Sequence, residues 1–515
     1  MSSAEPADRL FPLDEYNQTL LSYTHPPDWV NPRPAPCYDL VVIGAGTAGL
    51  VTAGGAATLG VGLKVALIEK HLMGGDCLNF GCVPSKTVIR SARVVAELRQ
   101  AAALGIQVGE IGIDFAAVMA RMRRVRAQIS PHDSVQRFSQ EFGVDVFLGT
   151  AQFESAQTIA VAGQVLRFKK AVIATGARAA HPAIPGLAET GFLTNETVFS
   201  LTERPERLAV IGGGPIGCEL AQAFSALGCQ VALLHKHDRL LEREDPEAST
   251  VLQQVFQQQG IRLILSSQIE RVERSATGKV IHFRQNGASQ SLIVDQILVA
   301  VGRQPNLEGL NLAAVGVQSQ ERRGVCVNDY LQTTNPRIYA AGDICMDWKF
   351  THAADAAARI VIRNALFAPF GLGRARLSSL VMPWTTYTLP EVAHVGLYPQ
   401  EAACQNIPVE TICVPMTDVD RAIADAATEG FVKIYHRKGT DQILGATIVA
   451  PHAGEMINEI TLAITQGIGL NQLANVIHPY PTQSEAVRKA AETYNLKQLT
   501  AGPQLTLLKL VNWLS

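Results

Sequence analysis

Asp39 is followed by four apolar residues, Leu40-Val41-Val42-Ile43, and the run stops at Gly44. A segment of small residues, 45–59, comes next, and then a second apolar run at 64–68. A short unbroken apolar run is the pattern of a strand buried on both faces. Two such runs flanking a helix-length segment predict a βαβ unit with parallel strands. The same alternation returns at 207–211, then Gly212-Gly213-Gly214, a helical segment through Leu227 and a run at 230–234. From Arg376 the pattern changes. Strands at 391–397, 431–435 and 443–449 with a helix at 454–466 predict a separate α+β domain. The expected fold class is therefore α/β, with two Rossmann-like dinucleotide-binding domains followed by a C-terminal α+β domain. Residues 1–36 are polar and then proline-rich (Pro26, Pro27, Pro32, Pro34, Pro36) and read as an extension outside the fold proper. The apolar tail 505–514 reads as a packed terminal helix, too short for a membrane span.

Both predicted units carry the same glycine spacing. Gly44, Gly46 and Gly49 match G-x-G-x-x-G, and so do Gly212, Gly214 and Gly217. The first glycine permits a tight turn, the second a close backbone approach to a pyrophosphate, and the third close helix–strand packing. The helix N-terminus behind each turn offers free N–H groups to phosphate. Glu69 ends the second strand of the first unit, where a carboxylate binds adenosine ribose hydroxyls. The matching position in the second unit is His235, followed by Lys236, His237 and Arg239. A basic cluster there favours a 2′-phosphate, and so NADPH over NADH, with NADH still possible.

Composition narrows the function classes. The chain has 515 residues, 47% hydrophobic and 17% charged, with formal net charge −2. That is ample apolar material for several cores. It provides no global positive field for nucleic acid or an anionic membrane. The opening Met1-Ser2-Ser3-Ala4-Glu5-Pro6 lacks a basic, apolar leader, so the expected compartment is cytoplasmic. Nine scattered cysteines make no disulfide framework, and in a reducing compartment a disulfide is transient and catalytic.

The segment Cys77-Leu78-Asn79-Phe80-Gly81-Cys82-Val83-Pro84-Ser85-Lys86 follows the first fingerprint and Glu69. Two cysteines five apart on a turn entering a helix can close a disulfide. A thiolate at a helix N-terminus is stabilised by the dipole, and Lys86 adds a positive charge one turn on. A zinc reading fails, because this spacing comes without a second ligand pair. No firm metal site is expected.

On these motifs the chain resembles the pyridine nucleotide–disulfide oxidoreductases. The resemblance covers about residues 38–495. It extends to Ala174-Thr175-Gly176, Val301-Gly302-Arg303-Gln304-Pro305-Asn306, Ala341-Gly342-Asp343-Ile344, Thr351-His352 and His478-Pro479-Tyr480-Pro481-Thr482-Gln483-Ser484-Glu485. It implies a division into 37–195 and 306–376 for FAD, 196–305 for NAD(P), 377–500 for dimerisation and 501–515 as a tail. It implies FAD contacts from Gly44, Gly46, Thr47, Ala48, Gly49, Glu69, Lys70, Gly75, Lys86, Ala151, Thr175, Gly176, Asp343 (on the ribityl chain) and Thr351. NAD(P) would meet Gly212, Gly214, Pro215, Ile216, Gly217, Glu219, His235, Lys236, Arg239 and Gly302. Lys86 would pair with Glu219 near the flavin. Cys82 would face the flavin, and Cys77 would exchange with the acceptor. A homodimer would place Tyr480 and Glu485 over the other subunit's cysteines.

Within that family, disulfide reductases carry a histidine directly before the Pro-Thr of the last motif, as the proton donor to a leaving thiolate. Tyr480 stands there in this chain, as it does in mercuric reductases, and Asp420-Arg421-Ala422-Ile423 and Pro451-His452-Ala453-Gly454-Glu455 also look like that subgroup. The chain departs from the subgroup in having no cysteine after Cys413 and no C-x-x-C module in 1–36. The expected activity is mercuric reductase-like, and that resemblance makes Cys77 and Cys82 candidate thiolates for Hg²⁺. The alternatives are an NADPH-dependent reductase of small disulfides (glutathione reductase-like or dihydrolipoamide dehydrogenase-like), of quinones or of other metal ions, and a non-catalytic flavoprotein redox sensor.

Overall fold

Tyr38–Ile43 is the central strand of a seven-stranded sheet in a computed structural model that describes residues 10–368, 371–501 and 512–513. Val65–Glu69 and Gln164–Ile173 run parallel to it on either side. Ile338–Ala340 joins the same sheet beside Gln164–Ile173, so the chain leaves this sheet, builds a second unit and returns. That second unit is a four-stranded parallel sheet with Arg207–Ile211 at its centre, between Gln230–Leu234 and Gln296–Val299. A five-stranded antiparallel sheet, 383–450, carries the helix Ala453–Gln466 and completes the predicted α/β and α+β plan.

The small residues of 45–59 form the helix Thr47–Ala57. Ala48, Ala53 and Ala56 share a buried cluster with Ala353, Ala357 and Ile360 of the helix Thr351–Leu366. Small side chains on both helices let them pack closely, and Thr351, at the start of the second, meets Cys82. The second unit is anchored to the third domain. Glu244 accepts hydrogen bonds from Trp384 and Tyr398, and Asp245 from Lys433 and Tyr435.

One expectation needs correction. Residues 10–36 lie against the fold rather than outside it. The helix Glu15–Thr24, capped by Asp14, packs on Phe115–Ile129, while Trp29 and Asn31 donate to the carbonyls of Val146 and Leu148. Proline content marked this segment as irregular but could not reveal the buried Leu20 and Asn17 that hold it. The tail at 505–514 lies outside the described residues, apart from 512 and 513.

Candidate functional site

The two glycine turns repeat one geometry. Gly44 (φ +101°) and Gly212 (φ +117°) take a left-handed conformation, and a Cβ at either would meet the carbonyl oxygen of Ala174 or Ala300 at 2.4 or 2.3 Å. A Cβ on Gly49 or Gly217 would strike the oxygen of that first glycine at 1.7 or 1.9 Å. The middle glycines differ. Nothing lies within 4 Å of a Cβ on Gly214, and only the Gly75 backbone, at 3.7 Å, lies near one on Gly46. Both turns thus leave open backbone before a helix with no side-chain cap, starting at Thr47 in the first unit and at Pro215, which carries no N–H, in the second, where Ile216 is the first helical residue with an amide to offer. Such a cradle fits the pyrophosphate of a dinucleotide.

Around the first turn, Glu69 is buried. Its carboxylate accepts from the Ala45 and His71 amides, and burial raises its pKa. Thr175 and the Gly176 turn are tied to Asn306, whose side chain donates to the Thr175 carbonyl at 2.8 Å. Asp343 is largely buried, which raises its pKa, and Arg303 sits 3.2 Å away. Lys70 lies exposed at the strand end, and Ala151 is buried at the start of Ala151–Ser155.

Cys77 lies in the five-residue helix Gly75–Asn79, and Cys82 is the first residue of the 19-residue helix Cys82–Gln100. Their side chains are hydrogen-bonded to each other, and Cys82 Sγ lies 3.2 Å from Thr351 Oγ1. The Cys77 thiol, the Thr351 hydroxyl and the Lys86 charge together outweigh burial and hold Cys82 down at about 6. The bond to Cys82 and burial push Cys77 far above the ordinary thiol range. At neutral pH the pair is one thiolate and one thiol.

Lys86 Nζ lies 2.8 Å from Glu219 and 4.5 Å from the centre of the Tyr387 ring. Burial works to lower its pKa, but Glu219 prevails and raises it, so the amine stays protonated. Glu219 belongs to the helix behind the second glycine turn, so this ion pair joins the two units at the cysteine pair.

Arg303 was quoted in a sequence motif without a role of its own. It bridges Asp343 to Asp76, the neighbour of Cys77, at 3.2 Å each. Tyr387 was missed altogether, since nothing in the sequence near it marks a site.

The basic cluster loses a member. His235 is buried, its Nδ1 accepts from the Gly213 amide at 3.0 Å and its Nε2 bonds Glu242 at 3.0 Å. Burial lowers its pKa, so it is a neutral acceptor that does for the second turn what Glu69 does for the first. Lys236 is exposed, Arg239 donates to the Glu242 carbonyl, and Gly302 lies open with φ +128°.

Tyr480 is 70% exposed and donates its hydroxyl to Asp420 at 3.0 Å, which raises its pKa. Glu485 is buried. Arg488 binds one of its oxygens, and Oε2 has no partner among the described residues. No hydrogen bond among the described residues joins Tyr480 or Glu485 to the cysteines of the same chain. His478 bonds Glu459 at 2.9 Å. No helix of the described residues is long and apolar enough to cross a membrane.

Comparison with known proteins agrees with this geometry. Residues 38–358 match the pyridine nucleotide-disulphide oxidoreductase family model, and 382–491 match the dimerisation domain of that family. The chain is 37% identical over 458 residues to a mercuric reductase of Staphylococcus aureus, covering 89% of this chain and 82% of the relative. It is 35% identical over 459 residues to a dihydrolipoyl dehydrogenase of Chlamydia trachomatis, covering 88% and 96%. The HOCl-induced flavoprotein disulfide reductase RclA from Escherichia coli superposes with a TM-score of 0.78 at 28% identity, over 88% of this chain and 99% of that one. A chain matched across both dinucleotide units and the dimerisation domain, with Cys77 in a short helix and Cys82 at the start of the next, belongs to the pyridine nucleotide–disulphide oxidoreductase family.

Proposed function

We propose that the chain is an FAD-dependent NADPH oxidoreductase that passes electron pairs through Cys77 and Cys82 to a soft metal ion, taking Hg²⁺ to Hg⁰. Bound FAD supplies hydride acceptance from the nicotinamide and release of two electrons. The chain's own residues position and charge the site. Gly46 leaves backbone room for the pyrophosphate with Gly75 packed against its backbone, Asp343 takes the ribityl hydroxyls, and Lys86, held by Glu219, presents a fixed positive charge. Cys82 is poised as thiolate and Cys77 as the exchanging thiol. A pair of sulfur ligands suits a soft cation. The chain acts in the cytoplasm as a homodimer, in which Tyr480 and Glu485 of one subunit serve the cysteines of the other.

The observation that carries the metal reading is Tyr480. Its phenol is bonded to Asp420 and its pKa is raised, so at neutral pH it is a weak proton donor to a leaving thiolate. Metal reduction needs no such donor. A second reading, reduction of small disulfides, is favoured by the His478–Glu459 pair, an imidazole–carboxylate couple two residues ahead of Tyr480. The deciding experiment follows NADPH absorbance with Hg²⁺, Cu²⁺, oxidised glutathione, lipoamide and quinones as acceptors. Hg²⁺ is expected to turn over fastest. Oxidised glutathione or lipoamide in first place moves the assignment to the disulfide branch.

The nucleotide preference rests on Lys236 and Arg239, since His235 is neutral. Wild type is expected to show a lower KM for NADPH than for NADH. Lys236→Glu is expected to cost NADPH about 1–3 kcal/mol more than NADH, the scale of a charge-assisted phosphate contact. Equal KM values for both nucleotides in the wild type would mark the loop as a solvated turn.

A further inference from the structure

The family match begins at residue 38, yet residues 10–31 are built into the back of the cysteine loop. Leu10 and Leu20 share a buried cluster with Leu72, five residues before Cys77, and Leu78, the residue after it. The Thr24 carbonyl accepts from the Met73 amide at 3.1 Å. Arg126 is 3% exposed and bridges two segments, donating to Asn17 Oδ1 and to the Asn79 carbonyl at 2.6 Å each. Asn79 is the last residue of the short helix that carries Cys77.

The two cysteines are held very differently. Cys82 starts a 19-residue helix with its own cooperative hydrogen bonding. Cys77 sits in a helix of five residues, too short to be stable by itself. Its placement therefore depends on partners outside it: Arg303 and Asn195 hold Asp76 at its start, and the segment packed behind it holds Leu78 and Asn79 at its end. Leu78 turns into the cluster with Leu10 and Leu20, and the helix's terminal carbonyl is fixed by a buried guanidinium.

We propose that residues 10–31 form a strap that fixes Cys77 against Cys82, with Arg126 as its positioning residue, and so raises the effective concentration of one sulfur at the other. The proposal rests on the reading of Cys77 and Cys82 as a redox pair. In that couple the disulfide takes two electrons and one proton, both delivered as hydride from the nicotinamide nucleotide, and gives the Cys77 thiol and the Cys82 thiolate. A looser Cys77 leaves the thiol–thiolate form in place and disfavours ring closure to the disulfide.

The test equilibrates the full-length flavoprotein with mixtures of reduced and oxidised glutathione and counts free Cys77 and Cys82 by alkylation and mass spectrometry. Arg126→Met, Asn17→Ala and deletion of residues 1–31 are each expected to lower the closure constant about tenfold, a rise in midpoint potential of about 30 mV. Asn17→Asp keeps an acceptor for Arg126 and is expected to stay within about twofold of wild type. If Arg126→Met does not fold, Asn17→Ala and the deletion decide. Closure constants within about twofold of wild type, alongside a lowered melting temperature, overturn the proposal and leave the strap a stabilising element only. A wild-type protein in which Cys77 and Cys82 never pair is a different result, and it removes the redox-pair reading itself.

Discussion

Cys82→Ser is expected to lower NADPH-driven turnover by more than about 10³-fold with every acceptor, the scale on which loss of an enzyme's nucleophile acts. The reason is electrostatic. Cys82 is the sulfur held as a thiolate, at the start of a long helix, bonded by Thr351 and faced by the protonated Lys86. Its alkylation by iodoacetamide in the reduced protein is expected to rise with pH through about 6 and then level off, because the thiolate is the reactive form. Cys77→Ala separates the two roles. It also abolishes turnover, but it leaves Cys82 without its strongest stabilising contact, the Cys77 hydrogen bond. The Cys82 alkylation midpoint then moves up toward the ordinary thiol range. An unchanged midpoint in Cys77→Ala would show that the helix end and Lys86 hold the thiolate without help from Cys77. The converse variant leaves Cys77 with a pKa raised by burial, so in Cys82→Ser its alkylation at neutral pH stays slow.

Tyr480→His is the second large effect. General acid catalysis is worth about 10²–10⁴-fold, and turnover with oxidised glutathione or lipoamide is expected to rise toward that range. Two features of the structure favour the gain. Glu485 keeps a buried oxygen with no partner among the described residues, and an imidazole five residues earlier is a group it can orient. Tyr480 is 70% exposed within its own chain, so the replacement disturbs no packing inside the subunit. Hg²⁺ reduction in the same variant is expected to fall if the phenol helps seat the ion. Measuring NADPH oxidation with three acceptors on two proteins is sufficient. Should wild type already reduce oxidised glutathione as fast as a dedicated reductase, the tyrosine argument fails and His478, paired with Glu459, becomes the proton donor.

The features legible in the sequence are those that a few neighbouring residues determine by their own geometry. Gly44 and Gly212 must be glycine because of their φ and the carbonyl beside them, so the turn is written into the local spelling. The apolar runs at 38–43 and 207–211 announce parallel strands because a strand buried on both faces has no polar side. The cysteine spacing announces redox chemistry because the turn and the helix start lie within one short segment. Family resemblance extended this to the Lys86–Glu219 pair, whose members stand 133 positions apart.

The tertiary structure decided what depends on distant partners. Arg303 joins Asp76 to Asp343, a contact no spacing rule reaches. His235 looked cationic beside Lys236 and Arg239, and it became a neutral acceptor only because folding buries it against Gly213. Residues 10–36 looked like a loose extension for a related reason. Arg126 and Asn17 are 109 positions apart, and the value of each to the fold is invisible until the chain brings a buried charge and its acceptor together. Local sequence determines backbone turns and strand faces, whereas charge state and anchoring are set by burial, and burial is a property of the whole chain.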